Sequence, residues 1–167
     1  MRKYSRPVLS IPRTPYETLL VALTVLGVIA VLIIAAWGWL ILPATIPTHY
    51  GISGTPNAYG GKGGLLILPI LSICLATLLT FVSRFPHSFN YPWAITEENA
   101  PRQYYLARLL MRWLALEIVL MMCGLQWLII QAAQSHSASS ILLVIPVLVV
   151  ALTVTIVLYL VSASRAR

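Results

Sequence analysis

Four long apolar runs, separated by polar or proline-rich connections, divide the chain. Three of the runs carry no charged residue, and they cover residues 19–42, 65–82 and 141–161. The fourth run, 109–133, is as long but contains the polar residues Arg112, Glu117, Gln126 and Gln131. Since about 20 apolar residues of helix cross a bilayer core of about 30 Å, each run predicts one membrane-spanning helix. We therefore expect a single membrane domain over residues 1–167, with spans at about 17–42, 65–83, 104–133 and 140–162.

The composition agrees with this pattern and excludes a soluble domain. Hydrophobic residues make up 59% of the chain and charged residues only 9%, whereas an average soluble domain is about 25% charged. The acids are four glutamates, with no aspartate. So much apolar surface cannot be covered in water and must face lipid. The predicted fold class is an all-α membrane protein, a bundle of four transmembrane helices surrounded by the lipid bilayer.

The basic residues predict which way the helices cross the membrane. Ten of the eleven Lys and Arg residues lie in the terminal segments, in the connection between spans two and three, or at the foot of span three. Only Lys62 lies on the other side. Because Lys and Arg accumulate in cytoplasmic segments, both termini are expected in the cytoplasm and connection 43–64 outside. The net charge of +7 then reflects topology, and no nucleic-acid partner is expected.

The first span has a well-marked start. Thr14 and Glu17 have the spacing of a capping box, and Pro15 suits the first helical position. The apolar run that follows is too long for a signal peptide, so we interpret it as a permanent anchor. The first helix is therefore expected to begin near Thr14.

The outer connection 43–64 combines prolines, glycines and one histidine. Pro43 and Pro47 favour an extended chain, and the glycines, Gly54 among them, suit tight turns, so an ordered outer loop is predicted. His49 has no carboxylate in its own connection, and no metal site is expected. Two interpretations of His49 stay open: a hydrogen bond that fixes the loop, or contact with a ligand or partner.

The inner connection between spans two and three is aromatic and ends in a helix start. Prolines exclude one continuous helix there, and its aromatic side chains suit the headgroup layer: Phe85, Phe89, Tyr91 and Trp93. Thr96 or Asn99 is expected to cap the third helix. Glu97 and Glu98 then lie at the positive end of the helix dipole. We interpret these glutamates as part of a capped helix start rather than as a catalytic acid pair.

Span three carries ionisable residues at membrane depth. One helical face is expected to hold Arg108, Arg112, Ala115, Val119 and Gln126. The two arginines are near enough to the cytoplasmic end to extend their side chains to the surface. Glu117 lies near the opposite face, about 7 Å deeper than Arg112, so it needs a partner or a proton. It is expected to face the bundle interior, with candidate partners Thr24, Ser72, Thr80 and Thr153.

No catalytic arrangement stands out along the chain. There is no Gly-rich phosphate loop, no HExxH motif and no GxSxG motif. Cys74 and Cys123 lie inside apolar runs and are interpreted as packing residues. We therefore expect no catalytic residue, no cofactor and no enzyme activity.

A spaced motif runs through the outer connection, and its residues are Leu42, Pro43, Ile46, Pro47, His49, Tyr50, Gly54, Pro56, Asn57, Tyr59, Gly60 and Lys62. It resembles an uncharacterised bacterial membrane domain family, best known as the N-terminal part of SdpI-type toxin-immunity proteins. Stand-alone members are similar again at 90–92 and 95–104, so the likeness covers roughly residues 20–130. The resemblance implies a multi-pass protein of the bacterial cytoplasmic membrane with no known catalytic residues. Asn57 stands where the family often has an acid, and the second half of SdpI-type proteins is missing.

We interpret the chain as a small membrane protein that acts by interaction, in an accessory, immunity-like or sensory role, with a protein partner or membrane complex. One alternative is a structural subunit of a larger membrane complex. Another is a small-molecule or proton/ion binding or transport protein that uses Glu117. The role of Glu117 stays open between a structural hydrogen bond, a proton or ion pathway and a subunit contact. The candidate interaction or structural residues are Pro47, His49, Tyr50, Gly54, Asn57, Tyr59, Lys62, Glu97, Glu98, Asn99, Arg112 and Glu117.

The basic asymmetry generates a topology prediction. A cysteine introduced at Ser53 should react with an impermeant maleimide in intact cells, and one at Ser88 should not, because only the first is expected outside. The unmodified chain measures the background from Cys74 and Cys123. The opposite labelling pattern would contradict the orientation.

Overall fold

The computed structural model describes residues 6–51, 53, 55–135 and 144–167. Its helices in this part of the chain are α1 (Pro15–Ile41), α2 (Ile67–Val82), α3 (Ala100–Ser135) and α4 (Val144–Ser164). A two-stranded antiparallel sheet and two short 3₁₀ turns lie between them: β1 (Thr45–Tyr50), β2 (Pro56–Gly61), Lys62–Leu66 and Pro86–Ser88. Four helices are long and apolar enough to span a membrane, which confirms the expected fold class. The chain is a multi-pass membrane protein.

The start of α1 follows from local chemistry. The Thr14 hydroxyl accepts a hydrogen bond from the Glu17 amide at 3.2 Å, and the Glu17 carboxylate accepts one from the Thr14 amide at 2.9 Å. This reciprocal pair satisfies amides that have no partner inside the helix, and Pro15 needs none. The predicted capping box is confirmed.

The core of the bundle is the contact between α1 and α3. The buried face of α1 includes the small residues Gly27, Ala35 and Gly38. A Cβ atom at Gly27 would lie 2.6 Å from Cγ1 of Val119, and one at Gly38 would lie 2.6 Å from Cδ1 of Ile130. Small residues let membrane helices approach closely, and that packing replaces the hydrophobic effect that lipid does not provide.

The other two helices flank this pair unequally. α3 contacts α1, α2 and α4, so it is the central helix of the bundle. In its most apolar window α3 is 33% buried, whereas α4 is only 6% buried. α4 is therefore a peripheral helix whose sides face lipid.

The basic end is the end where α1 and α3 begin and α2 and α4 end. Segment 6–14 crosses it, because the Tyr104 hydroxyl donates to the Pro7 carbonyl at 3.0 Å and Arg6 lies over the Tyr91 ring at 5.5 Å. Gln103 holds the end of α4 through a 2.8 Å hydrogen bond to the Ala163 carbonyl. The connection between α2 and α3 is non-helical apart from one 3₁₀ turn, as its prolines predicted.

The close contact of α1 with α3 predicts a difference between two glycines. Gly27→Ala should lower the free energy of unfolding by about 1–3 kcal/mol, because the new methyl group collides with Val119. Gly124→Ala is the matched control, since a Cβ atom there meets nothing within 4 Å. Thermal unfolding in detergent measures both. Equal effects of the two substitutions would show that the α1–α3 contact is not close.

Candidate functional site

Within connection 43–64, β1 and β2 pair as a β-hairpin, where the sequence predicted extended chain and tight turns. β1 pairs with β2 from Thr45 opposite Gly61 to Tyr50 opposite Pro56, and the register shifts on either side of His49. Gly60 faces Thr48 closely, since a Cβ atom on Gly60 would lie 2.9 Å from Cγ2 of Thr48. Pairing supplies partners for the backbone of a segment that the prolines only predicted as extended.

Apolar residues of the motif anchor the hairpin to the helices. Leu42 and Ile46 are 5% and 3% exposed, and they pack in one cluster with Leu65, Ile130 and Ala133. Pro47 is buried as well. These residues have a structural role, because they join the hairpin to the ends of α1 and α3.

Lys62 clamps the base of the hairpin to α1. Its amide donates to the Ala44 carbonyl at 3.1 Å, and its ammonium donates to the Trp39 carbonyl at 2.8 Å. The ammonium also lies 5.0 Å from the centre of the Trp39 ring, within the range of a cation–π contact. The one basic residue at this end is therefore bound to the end of α1.

The remaining motif residues point away from the core. His49 Nδ1 donates to the side-chain oxygen of Asn57 across the strands, and both residues are exposed. Tyr59 is 58% exposed. Burial raises the pKa of Tyr50, and neighbouring Tyr59 raises it further. Gly54 lies outside the described residues.

The start of α3 at the basic end is capped by reciprocal side-chain bonds. The Thr96 amide donates to the Asn99 side chain at 2.9 Å, and the Asn99 amide donates to the Thr96 hydroxyl at 3.3 Å. Glu97 and Glu98 are both exposed. The Thr96 hydroxyl also lowers the pKa of Glu98 by hydrogen bonding to its carboxylate. These contacts account for the segment as a helix start.

A buried ion pair joins α1 to α3 near the basic end. Arg108 Nη2 donates to Oε2 of Glu17 at 3.0 Å, and Arg108 Nε lies 3.0 Å from Oε1 without the direction of a good hydrogen bond. Arg108 also donates to the carbonyls of Ile11 and Pro12. Sequence reasoning assigned Glu17 only to the helix cap. The signal it missed is that Glu17 is a lone acid between two basic segments of the same end.

The prediction that Arg112 extends its side chain to the surface is wrong. Arg112 is only 5% exposed, because segment 6–14 and the end of α2 lie over this part of α3. Its Nε and Nη1 atoms are buried and have no hydrogen-bond acceptor in the described part of the chain. Arg112 lines a cavity of about 220 Å³ together with Leu9, Ser10, Ile11, Arg13, Glu17, Ser83, Arg84, Pro86 and Arg108.

Glu117 is bound by a residue that the sequence did not predict. The Thr155 hydroxyl of α4 donates to Oε1 of Glu117, whereas Oε2 is buried without a partner among the described residues. Positions 153 and 155 differ by about 200° around a helix, so only one of them faces α3. Three of the predicted partners donate to carbonyls of their own helices, and these are Thr24, Ser72 and Thr153. Glu117 thus faces α4 and is half-buried.

No metal centre is found in the part of the chain that the structure describes. Its His, Cys and Glu side chains form no group of three or more that could hold an ion. The exposed His49 is bound to Asn57, and Cys123 donates to the Gly27 carbonyl.

A comparison with known proteins gives an archaeal relative. The chain is 32% identical over 145 residues to an uncharacterized protein of Archaeoglobus fulgidus, across 75% of this chain and 78% of the archaeal one. The chain belongs to the same family as this archaeal protein. Residues 26–73 match the family model described as Domain of unknown function (DUF1648). No solved structure matches the chain.

The family model covers the part of the fold that holds the hairpin. It extends from the middle of α1 through β1 and β2 to the middle of α2. Neither description names an activity, and the comparisons give no positive indication of an enzyme. The paired strands of the hairpin lie entirely within the matched residues.

The Glu117 contact predicts how three substitutions rank. Glu117→Gln keeps an oxygen for the Thr155 hydroxyl and should leave the thermal midpoint in detergent unchanged. Glu117→Leu and Thr155→Val each remove the contact and should cost about 1 kcal/mol. Because both remove the same bond, the double variant should lose less than the sum of the single losses. A loss on Glu117→Gln as large as on Glu117→Leu would show that the bundle needs the ionised carboxylate.

Proposed function

We propose that this protein acts by interaction, with the hairpin as the surface that binds a partner protein. The observation that carries the proposal is that some hairpin residues anchor it to the helices while others point away from the core. Leu42, Ile46 and Lys62 anchor its base, and its outer residues have no role in the core. A rigid element binds without the entropic cost of ordering a loop, so an anchored hairpin suits recognition.

The outer surface of the hairpin has the chemistry of a protein contact. Tyr59 offers an aromatic ring that is 58% exposed, and the His49–Asn57 pair beside it offers polar groups held in place by their own hydrogen bond. Aromatic residues supply large contact areas at protein interfaces. Described residues of this surface include no Asp, Glu, Lys or Arg, so the expected partner surface is polar and without a strong charge.

The proposed role is accessory, immunity-like or sensory, at the outer face of the cytoplasmic membrane. Supporting the orientation, all of the Lys and Arg residues that the structure describes, except Lys62, lie at the end opposite the hairpin. The proposed role is supported by the hairpin motif, which resembles that of SdpI-type immunity proteins. These are membrane proteins that protect a cell against a toxin. The partner is then a protein that reaches the membrane from outside.

Site-specific photocrosslinking tests the proposal. A photoreactive residue at position 59, in cells exposed to their own secreted proteins, should give an adduct of one discrete mass. The same residue at position 25, on the lipid-facing side of α1, is the control and should give none. Asn57→Ala should lower the adduct yield several-fold, since it frees His49 but keeps the anchors. Absence of an adduct at positions 48, 57 and 59 would contradict the proposal.

The alternative is that the protein is a structural subunit, and the same experiment distinguishes this from the hairpin proposal. α4 is buried over only 6% of its most apolar window, so a larger complex would cover it. A discrete adduct from position 156 of α4, with none from the hairpin, would support a subunit role in place of recognition. Under the hairpin proposal, position 156 contacts lipid alone.

A further inference from the structure

We infer that the cavity at the basic end is a binding site for a phosphate-type oxyanion, carried by a lipid headgroup or free in solution. The inference is independent of the hairpin proposal, because it concerns the opposite end of the bundle. It rests on three features of the cavity: its charge, a buried arginine without a partner, and its depth in the membrane.

The charge of the cavity is not balanced by the protein. Four arginines line it, Arg13, Arg84, Arg108 and Arg112, and its one acid is Glu17. The lining therefore carries three more positive than negative charges. Placing like charges together in a partly buried space is unfavourable, so such a cluster is stabilised by an anion that binds between them.

Glu17 alone cannot balance four arginines, and both of its oxygens already lie beside Arg108. Oε1 lies beside Arg108 Nε, and Oε2 accepts from Arg108 Nη2 and from the amide and hydroxyl of Thr14. The described contacts of this carboxylate are with Arg108 and Thr14, and none of them is with Arg112. Arg112 thus forms no ion pair with the described residues, since Glu17 is paired with Arg108.

Arg112 supplies the specific evidence for a ligand. Arg112 is only 5% exposed, and two of its three guanidinium nitrogens have no acceptor in the described chain. Buried charges in proteins are paired, and an arginine fork matches two oxygens of a phosphate. An oxyanion in the cavity would give Arg112 the ion-pair partner that the described residues do not supply.

The architecture of the cavity lets an anion enter. Arg13 and Arg84 are exposed and flank its mouth, whereas Glu17, Ser83 and Arg112 form its buried floor. A volume of about 220 Å³ accommodates a tetrahedral anion with some water, since one water occupies about 30 Å³ of liquid. Mobile surface charges can attract the anion, and the buried guanidinium can then orient it.

The depth of the site matches the level of lipid phosphates. The apolar part of α1 begins at Leu19 and that of α2 ends at Val82, so Glu17 and Arg84 mark the boundary of the hydrocarbon layer. Arg112 lies on the part of α3 that contacts this boundary. Basic pockets between membrane helices at this level bind phosphate-bearing headgroups.

A thermal-shift experiment on the purified full chain in neutral detergent tests the inference. One arm compares phosphatidylglycerol with diacylglycerol of the same acyl chains, which lacks the phosphate. The other compares inorganic phosphate with chloride at equal ionic strength. A rise in the thermal midpoint with phosphatidylglycerol alone identifies a lipid headgroup, and a rise with inorganic phosphate identifies a site for the free anion.

Three arginine variants decide whether the cavity is responsible. Arg112→Gln should weaken the apparent affinity about tenfold or more, because it removes charged hydrogen bonds to the anion. Arg84→Gln tests the mouth and keeps the test valid if Arg112→Gln fails to fold. Arg102→Gln is the matched control, since Arg102 is exposed on α3 and does not line the cavity.

The outcomes separate the site from general charge effects. The inference requires a ligand-induced shift that the cavity variants reduce and Arg102→Gln preserves. Equal reduction in all three variants would mean that net charge alone binds the anion. No shift with either phosphate source, in a folded wild-type chain, would overturn the inference.

Discussion

The close contact between α1 and α3 is the constraint on which the other elements depend. Lipid does not drive helices together, so the bundle is held by packing and by polar contacts between helices. Gly27 and Gly38 bring the backbone of α1 against Val119 and Ile130, and the Glu17–Arg108 pair joins the same helices at the basic end. Because α1 and α3 are held together at both ends, the helix residues that support the hairpin and line the basic cavity are fixed in position.

Polar contacts at the two ends of the α1–α3 pair have different roles. At the hairpin end, Lys62 is tied to Trp39, and the pairing of β1 with β2 satisfies the backbone outside the helices. At the basic end, one carboxylate serves both as a helix cap and as the partner of Arg108. Among the described residues, the first end leaves the buried Tyr50 hydroxyl without a partner, and the second leaves two donors of Arg112 unpaired.

Sequence could predict the features that depend on local pattern. The four helices follow from run length against bilayer thickness, and the start of α1 follows from the spacing of Thr14 and Glu17. The hairpin was missed because its strands are short and rich in proline and glycine, so alternation is weak. The Glu117 partner was missed because apolar residues occupy every side of α4. The sequence of α4 therefore does not show which side faces α3. The burial of Arg112 depends on segment 6–14, whose path is set by tertiary contacts.

α4 is the least buried of the four candidate spans, and this affects the order in which the bundle opens. Described polar contacts between α4 and the rest of the bundle are few: the hydrogen bond of Thr155 to Glu117 and those that Gln103 makes at the far end of the helix. Regions with few buried contacts open with a smaller free energy than the whole protein. Amide exchange along the chain will thus follow a hierarchy, in which α4 separates while α1 and α3 stay joined. The amides of α4 are therefore expected to exchange first, and those of α1 and α3 last.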